Sequence, residues 1–264
     1  MRIATWNVNS VKQRLDHLLG WLDETKPDIV CLQEIKCVDD AFPREAIEAA
    51  GYNVAVHGQK TFNGVALLSR RPFDEVTPGL PGEPEDDHAR FLEGVVSSAD
   101  GVLRVACLYL PNGNPVETPK YPYKLRWMDR LIRYAEDRLA LEEPLVLAGD
   151  YNVLPTPDDV ANPEAWSNDA LFLPQTRERF FALRALGFTD AVRASSDRAD
   201  LYTFWDYQAG CWQKNMGLRI DHLMLSPQAA DRLVRTGIDK PMRGREKPSD
   251  HVPAWCELDM QGKA

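Results

Sequence analysis

No stretch of this 264-residue sequence approaches the ~20 consecutive apolar residues needed to cross a bilayer. The N-terminus, Met1-Arg2-Ile3-Ala4-Thr5-Trp6-Asn7, has neither a secretory apolar block nor a small-residue cleavage site, so a cytoplasmic protein that does not meet a membrane is expected. Cysteine is sparse and scattered: Cys31, Cys37, Cys107, Cys211 and Cys256 form an odd set without a CxxC pair. That excludes a disulfide framework and disfavours a zinc site; Cys31, Cys107 and Cys256 lie in apolar runs and read as small core residues. Positive charge is also in deficit, 31 Lys and Arg against 40 Asp and Glu for a net charge of −9, which argues against a protein that coats nucleic acid electrostatically. A local basic strip remains compatible with that balance, and a site that gathers carboxylates for a cation adds negative charge of its own. There is no Gly/Ser linker, low-complexity block or short repeat, so residues 1–264 read as one domain.

What is present is a series of short apolar runs ending in polar residues. The clearest is Val146-Leu147-Ala148-Gly149-Asp150-Tyr151-Asn152, a buried strand that stops at an acid and an amide two positions apart, on one side of extended backbone. The alternative there is an Asx turn that merely caps backbone amides. In chain order, strands are expected at 3–6, 29–34, 52–56, 65–69, 91–97, 103–110, 201–207, 218–225 and 252–258. Helices are expected where Val11, Leu15, Leu18, Leu19 and Leu22 recur, over 46–50, 124–141 and 176–186; the segments 78–89, 111–122 and 156–168 read as loops. So many strands, several adjacent without a helix between them, point to two mostly antiparallel sheets packed face to face with helices outside, an α/β sandwich.

The polar strand ends supply Asn7, Glu34, Asp150, Asn152, Asp221, Asp250 and His251. Each has an ordinary reading: a helix cap at Asn7, a solvated strand end at Glu34, an ion pair at Arg219-Ile220-Asp221. Together they are hard oxygen donors with one imidazole, a set that suits Mg²⁺, with Mn²⁺ as the substitute. A hard cation on a carboxylate ledge serves phosphate chemistry, with a second carboxylate free to activate water.

Trp6-Asn7-Val8-Asn9-Ser10, Leu32-Gln33-Glu34-Ile35-Lys36, Tyr109-Leu110-Pro111, Gly149-Asp150-Tyr151-Asn152, the run from Asn215 to His222, and Ser249-Asp250-His251 resemble, in order and across nearly the whole chain, the motifs of exonuclease III type apurinic/apyrimidinic endonucleases. The resemblance implies the four-layered α/β sandwich of the DNase I-like superfamily. It also implies metal ligation by Glu34 with Asn7 and Asp250, and with Asp150, Asn152 and His251 at the same centre. Asp150 would be the general base, Asn152 would hold a phosphate oxygen, Tyr109 would act as hydrogen-bond or proton donor, and His251, paired to Asp221, would contact the scissile phosphate. Arg90 and the group Lys120, Tyr121 and Lys124 match positions on the DNA backbone, although each could be an ordinary solvated charge. Phe204, Leu218 and Ile220 match an apolar pocket for a flipped-out base-less sugar. Some members carry Trp where this chain has Leu218, which bears on that pocket's tightness.

The activity implied is Mg²⁺-dependent hydrolysis 5′ to abasic sites in duplex DNA by a monomer, with 3′ to 5′ exonuclease and 3′-phosphatase or 3′-phosphodiesterase action. The alternatives are a phosphatase acting on inositol phosphates or lipid headgroups, and a catalytically silent DNA-binding module. Loss of Glu34, Asp150 or His251 would mark the last, and all three are present.

Overall fold

The computed structural model describes residues 1–98 and 101–261. In chain order the elements are β1 (Arg2–Asn7), α1 (Leu15–Thr25), β2 (Ile29–Gln33), α2 (Arg44–Ala49), β3 (Asn53–His57), β4 (Val65–Ser69), β5 (Glu75–Pro78), β6 (Phe91–Ser98) and β7 (Gly101–Tyr109). The second half runs α3 (Lys120–Leu139), β8 (Leu145–Asp150), α4 (Pro174–Ala185), β9 (Thr189–Asp190), α5 (Ala191–Ser195), β10 (Asp221–Leu225), α6 (Pro227–Ala230), β11 (Leu233–Ile238) and β12 (Ala254–Leu258). The strands form two six-stranded sheets, ordered β11-β12-β1-β2-β4-β3 and β5-β6-β7-β8-β10-β9. Only β1–β2 and β7–β8 pair in parallel, so both sheets are mostly antiparallel as expected.

Alternation along the strands builds the layers. Ile3, Cys31, Leu67, Leu92, Val105, Val146 and Leu223 point inward and fill the space between the sheets, with Cys107 and Cys256 among them. Ala4, Trp6, Val30, Leu32 and Leu68 point the other way, beneath Leu18, Trp21 and Leu22 of α1. Ala106, Leu108, Leu145 and Leu147 meet Trp127, Met128 and Leu131 of α3 and Phe180 and Leu183 of α4. The result is the four-layered sandwich. No helix among the described residues is long and apolar enough to cross a membrane.

Some boundaries differ from the sequence reading. Helix α3 begins at Lys120 and runs through Pro122, because a helix's first amides have no intrahelical partner and proline costs nothing there. Residues 201–207 do not form a strand: Phe204 alone bridges Leu218 and His251, and Asp206 turns the chain by accepting from the Gln208 amide at 2.7 Å. The stretch 218–220 likewise makes isolated bridges before β10 starts at Asp221. Strand β5 was not foreseen because all four of its residues are exposed, which removes the periodic signal.

Gly149 is required by close approach. A Cβ there would sit 1.9 Å from the Leu108 carbonyl oxygen, a backbone atom that cannot move aside without disturbing β7. Gly149→Ala is therefore expected to cost about 3 kcal/mol, read from urea denaturation, and to misplace Asp150 next to it. Wild-type stability in that variant would contradict the packing described.

Candidate active site

The site forms where strand ends from both sheets meet. In one sheet Tyr109, Asp150 and Asp221 stand abreast, since Tyr109 pairs with Asp150 across β7–β8 and Asp221 pairs with Asp150 across β8–β10. In the other, Asn7 ends β1, paired with Gln33, and Glu34 follows β2 directly. Glu34 and Asn152 both take left-handed backbone, with φ of 49° and 48°. Such conformations in non-glycine residues cost energy and gather at functional sites.

Asn7 joins the sheets. Its amide nitrogen donates to Glu34 Oε1 at 2.8 Å and to Asp150 Oδ2 at 3.0 Å. Tyr109 donates its hydroxyl to Glu34 Oε1 at 2.9 Å. Opposite, His251 Nδ1 donates to Asp221 Oδ2 at 2.8 Å, which leaves Nε2 directed at Asp150 Oδ2, 3.7 Å away. The Trp6 indole fixes the His251 backbone by donating to its carbonyl at 3.1 Å. Asn7, Asp150, Asp221 and His251 are all buried, so each charge there acts in a low dielectric.

Burial raises the Asp150 carboxyl to about 7, aided by neighbouring Asp221 and Glu34 and opposed by His251 and Asn7. Burial alone would lower His251, but the carboxylates of Asp221 and Asp150 overcome it and push the imidazole up to about 10. Burial also works against ionisation of Glu34, yet the Asn7 amide and the Lys36 ammonium outweigh it and hold that carboxylate below its usual value. Tyr109 is pushed well above the ordinary phenol by burial and by Glu34 and Asp150, and stays protonated. The site therefore brings together a Glu34 carboxylate held ionised, an Asp150 carboxyl poised near neutrality and a His251 imidazolium.

The donor set fits a hard divalent cation. Glu34 Oε2 already lies 2.9 Å from the Lys36 ammonium, which also donates to Asn9 Oδ1 at 2.6 Å, and Asn9 in turn donates to Asp250 Oδ1 at 3.1 Å. Glu34 thus already faces a cationic group among oxygen donors, and Asp250 is joined to that group through the Asn9 side chain. Ligand atoms of Asp150, Asp221 and His251 also lie within 4.8 Å of one another, and Asp221 Oδ1 is buried without a hydrogen-bond partner.

Similarity to known proteins decides the lineage. The family model "Endonuclease/Exonuclease/phosphatase family" matches residues 4–251. Exodeoxyribonuclease III of Haemophilus influenzae is 34% identical over 98% of this chain and 100% of its own length. The chain belongs to the exonuclease III family. Among solved structures, a 3′ phosphatase from Neisseria bound to a product DNA hairpin is 37% identical with a TM-score of 0.94, covering 98% of this chain and 99% of that one. An AP endonuclease from Archaeoglobus fulgidus is 36% identical with a TM-score of 0.92 over the same shares.

Against this exonuclease III frame, the remaining expected residues divide. Arg90 lies over the Tyr109 ring at 4.7 Å and, with Lys120, lines a groove of ≈ 580 Å³ beside the site, together with Phe62, His88 and Asn112. Phe204 packs its ring against the imidazole of His251, centroids 4.9 Å apart, and bridges Leu218, so the apolar trio adjoins His251. Asn152 stands beside Asp150 and donates its backbone amide to Asp150 Oδ1 at 2.9 Å. Its side chain is committed elsewhere, donating to the Leu110 carbonyl at 2.9 Å and accepting from Asn112 at 3.0 Å. Lys124 is a correction: it is fully buried and donates to the carbonyls of Asn112 and Asn152, so it cannot reach a DNA phosphate. Tyr121 is tied to Thr176 through its hydroxyl.

Two supporting groups were not placed from sequence: Lys36 was given no role, and Arg219 was read as an ion pair within Arg219-Ile220-Asp221. Lys36 sits two residues after Glu34 in the same motif, the only local signal it carries. Arg219, behind Asp221, is buried with its guanidinium on Asp159 at 2.7 Å and Asp190 at 2.8 Å, partners far away in the chain.

Proposed function

We propose that this chain is a divalent-metal-dependent DNA repair phosphoesterase that hydrolyses the bond between phosphorus and the 3′ oxygen, at abasic sites and at blocked 3′ ends. The observation that carries the reading is the meeting of Asp150 and the Asp221–His251 pair with Glu34, Asn7 and Tyr109 across two sheets. The named relatives, which include exodeoxyribonuclease III and an AP endonuclease, support DNA as the substrate.

Glu34, with Asn7 and Asp250, would hold a divalent cation such as Mg²⁺, which would supply positive charge to offset the charge that develops on the phosphate. Asp150 takes a proton from the attacking water; Asn7 holds Oδ2 and the Asn152 amide holds Oδ1, so the carboxylate is oriented at both ends. His251 is fixed by Asp221 and offers its Nε2 proton to a non-bridging oxygen, in the gap between Nε2 and Asp150. Tyr109, kept protonated, donates a hydrogen bond at the same edge. No side chain acts as nucleophile, so water is the attacking group.

Purified protein with Mg²⁺ should process duplexes carrying an abasic site, a recessed 3′ end or a 3′ phosphate, and EDTA should stop it. Glu34→Gln should lower the rate by about 100-fold or more and weaken Mg²⁺ binding measured by titration calorimetry. Protein inert on every DNA substrate but active on inositol polyphosphates would replace this reading with the phosphatase alternative.

A further inference from the structure

Lys124 occupies an apolar stripe. It shares the buried face of α3 with Trp127, Met128, Leu131 and Ala135 and is itself 0% exposed. A leucine would fill that place without the desolvation that an amine undergoes there. The partners account for the lysine: Nζ donates to the Asn152 carbonyl at 2.6 Å and to the Asn112 carbonyl at 3.0 Å. Asn152 lies just after β8 and Asn112 in the loop after β7, so one side chain ties the two segments that leave the middle of the sheet beside the site.

The loop closes around the lysine's stem. Gly113 has a φ of 91°, and a Cβ there would sit 2.7 Å from Lys124 Cδ, so this close approach requires glycine. Asn114 donates its side-chain amide to Asn112 Oδ1 at 3.0 Å, Asn112 donates to Asn152 Oδ1 at 3.0 Å, and Asn152 donates to the Leu110 carbonyl at 2.9 Å. With its carbonyl and its side chain both engaged, Asn152 is held in left-handed backbone, and its own amide points at Asp150 Oδ1, 2.9 Å away. Such a conformation persists where the surroundings over-determine it.

We propose that Lys124 is a positioning residue for the reaction: by holding the Asn152 carbonyl it keeps the Asn152 amide on Asp150 Oδ1, and so fixes the orientation in which that carboxylate meets the attacking water. The inference rests on the DNA phosphoesterase reading above. Burial lowers the Lys124 ammonium to about 7, opposed by Asp169 and Asp150. The neutral amine still carries two protons, one for each carbonyl, so the tie does not depend on its charge. Lys124 reaches no DNA phosphate, and the groove keeps Arg90 and Lys120 without it. Its effect therefore falls on kcat rather than on KM.

The test is a double-mutant comparison of Mg²⁺-loaded proteins on a duplex with a recessed 3′ end. Lys124→Met keeps an unbranched stem and removes both donors; kcat should fall by about 10- to 100-fold with KM within about threefold of wild type. In an Asp150→Asn background the group being oriented is gone, and the same substitution should change the residual kcat by less than about threefold. A lysine that only supports the fold lowers the rate by the same factor in both backgrounds. That result, or wild-type kcat in the single variant, would overturn the proposal. Melting curves establish that the proteins compared are folded. Should the methionine protein fail to fold, Lys124→Gln, whose amide is a shorter donor, carries the same comparison, with a fall of about tenfold expected in the first background and none in the second. Wild-type protein inert on DNA would instead overturn the parent reading.

Discussion

Asp150→Asn is expected to lower kcat by about 10³-fold on every DNA substrate while leaving KM nearly unchanged. The asparagine keeps the size of the side chain, and its oxygen can still accept from Asn7, so the joint between the sheets survives. What disappears is the acceptor for the water proton. Because the replaced group is buried and adjoins three other titratable side chains, losing its charge also relieves local repulsion with Asp221 and Glu34. The variant should therefore be no less stable than wild type and bind DNA at least as well. Circular dichroism and a fluorescence-anisotropy titration beside the rate measurement separate these effects. A variant retaining more than a tenth of wild-type kcat would remove Asp150 from the role of base.

A comparably large effect, on stability, is expected at Arg219. Its guanidinium lies between Asp159 and Asp190, all three side chains being almost wholly buried. Against the burial that opposes their ionisation, Arg219 holds the Asp190 carboxyl well below the usual carboxylate range and, with Arg193, lowers that of Asp159. Arg219→Leu leaves Asp190 facing His222 and the Arg193 amide, and Asp159 facing Arg193 and Thr156, and should cost about 3–5 kcal/mol. The sign of the pH dependence follows from the shifts. In wild type the two depressed carboxyls contribute stability that is complete above the unfolded value near ~4 and is lost as pH falls through the folded values. In the variant, burial without the guanidinium raises the carboxyls, so protonation on acidification favours the folded form. The penalty should thus be largest at pH 7 and shrink toward pH 4 in urea denaturation series. A penalty that is small at pH 7, or that grows on acidification, would mean that the network does not stabilise as described.

The centre was legible in the sequence because its parts are strand ends. A short continuous apolar run that stops at Asp150, and another that stops at Glu34, carry their own local signal. Their meeting was not written in any one segment; it came from the ordered resemblance of six motifs, and the geometry supplies the contacts. Lys124 shows where reading charge as exposure fails. It lies on the helix stripe shared with Met128, Leu131 and Ala135, and that spacing, weighed above residue type, marks it as buried. The strand expected over 201–207 failed for the opposite reason, since its apolar residues pack without a continuous neighbouring strand to pair with. Arg219 and its partners could not be found locally, because Asp159 and Asp190 reach it only through the folded topology. The small apolar cluster is likewise a property of packing, as Leu154, Val160 and Leu171 meet Leu218 and Ile220 only through the folded topology.

In the proposed chemistry water, prepared by Asp150, attacks phosphorus while the 3′ oxygen leaves. A single turnover on 3′-phosphorylated duplex in ¹⁸O-enriched water with Mg²⁺ tests it most directly, with both products analysed by mass spectrometry. One ¹⁸O atom in the released phosphate and none in the DNA 3′ hydroxyl is the predicted outcome. Label in the 3′ hydroxyl, or phosphate released without label, would contradict it.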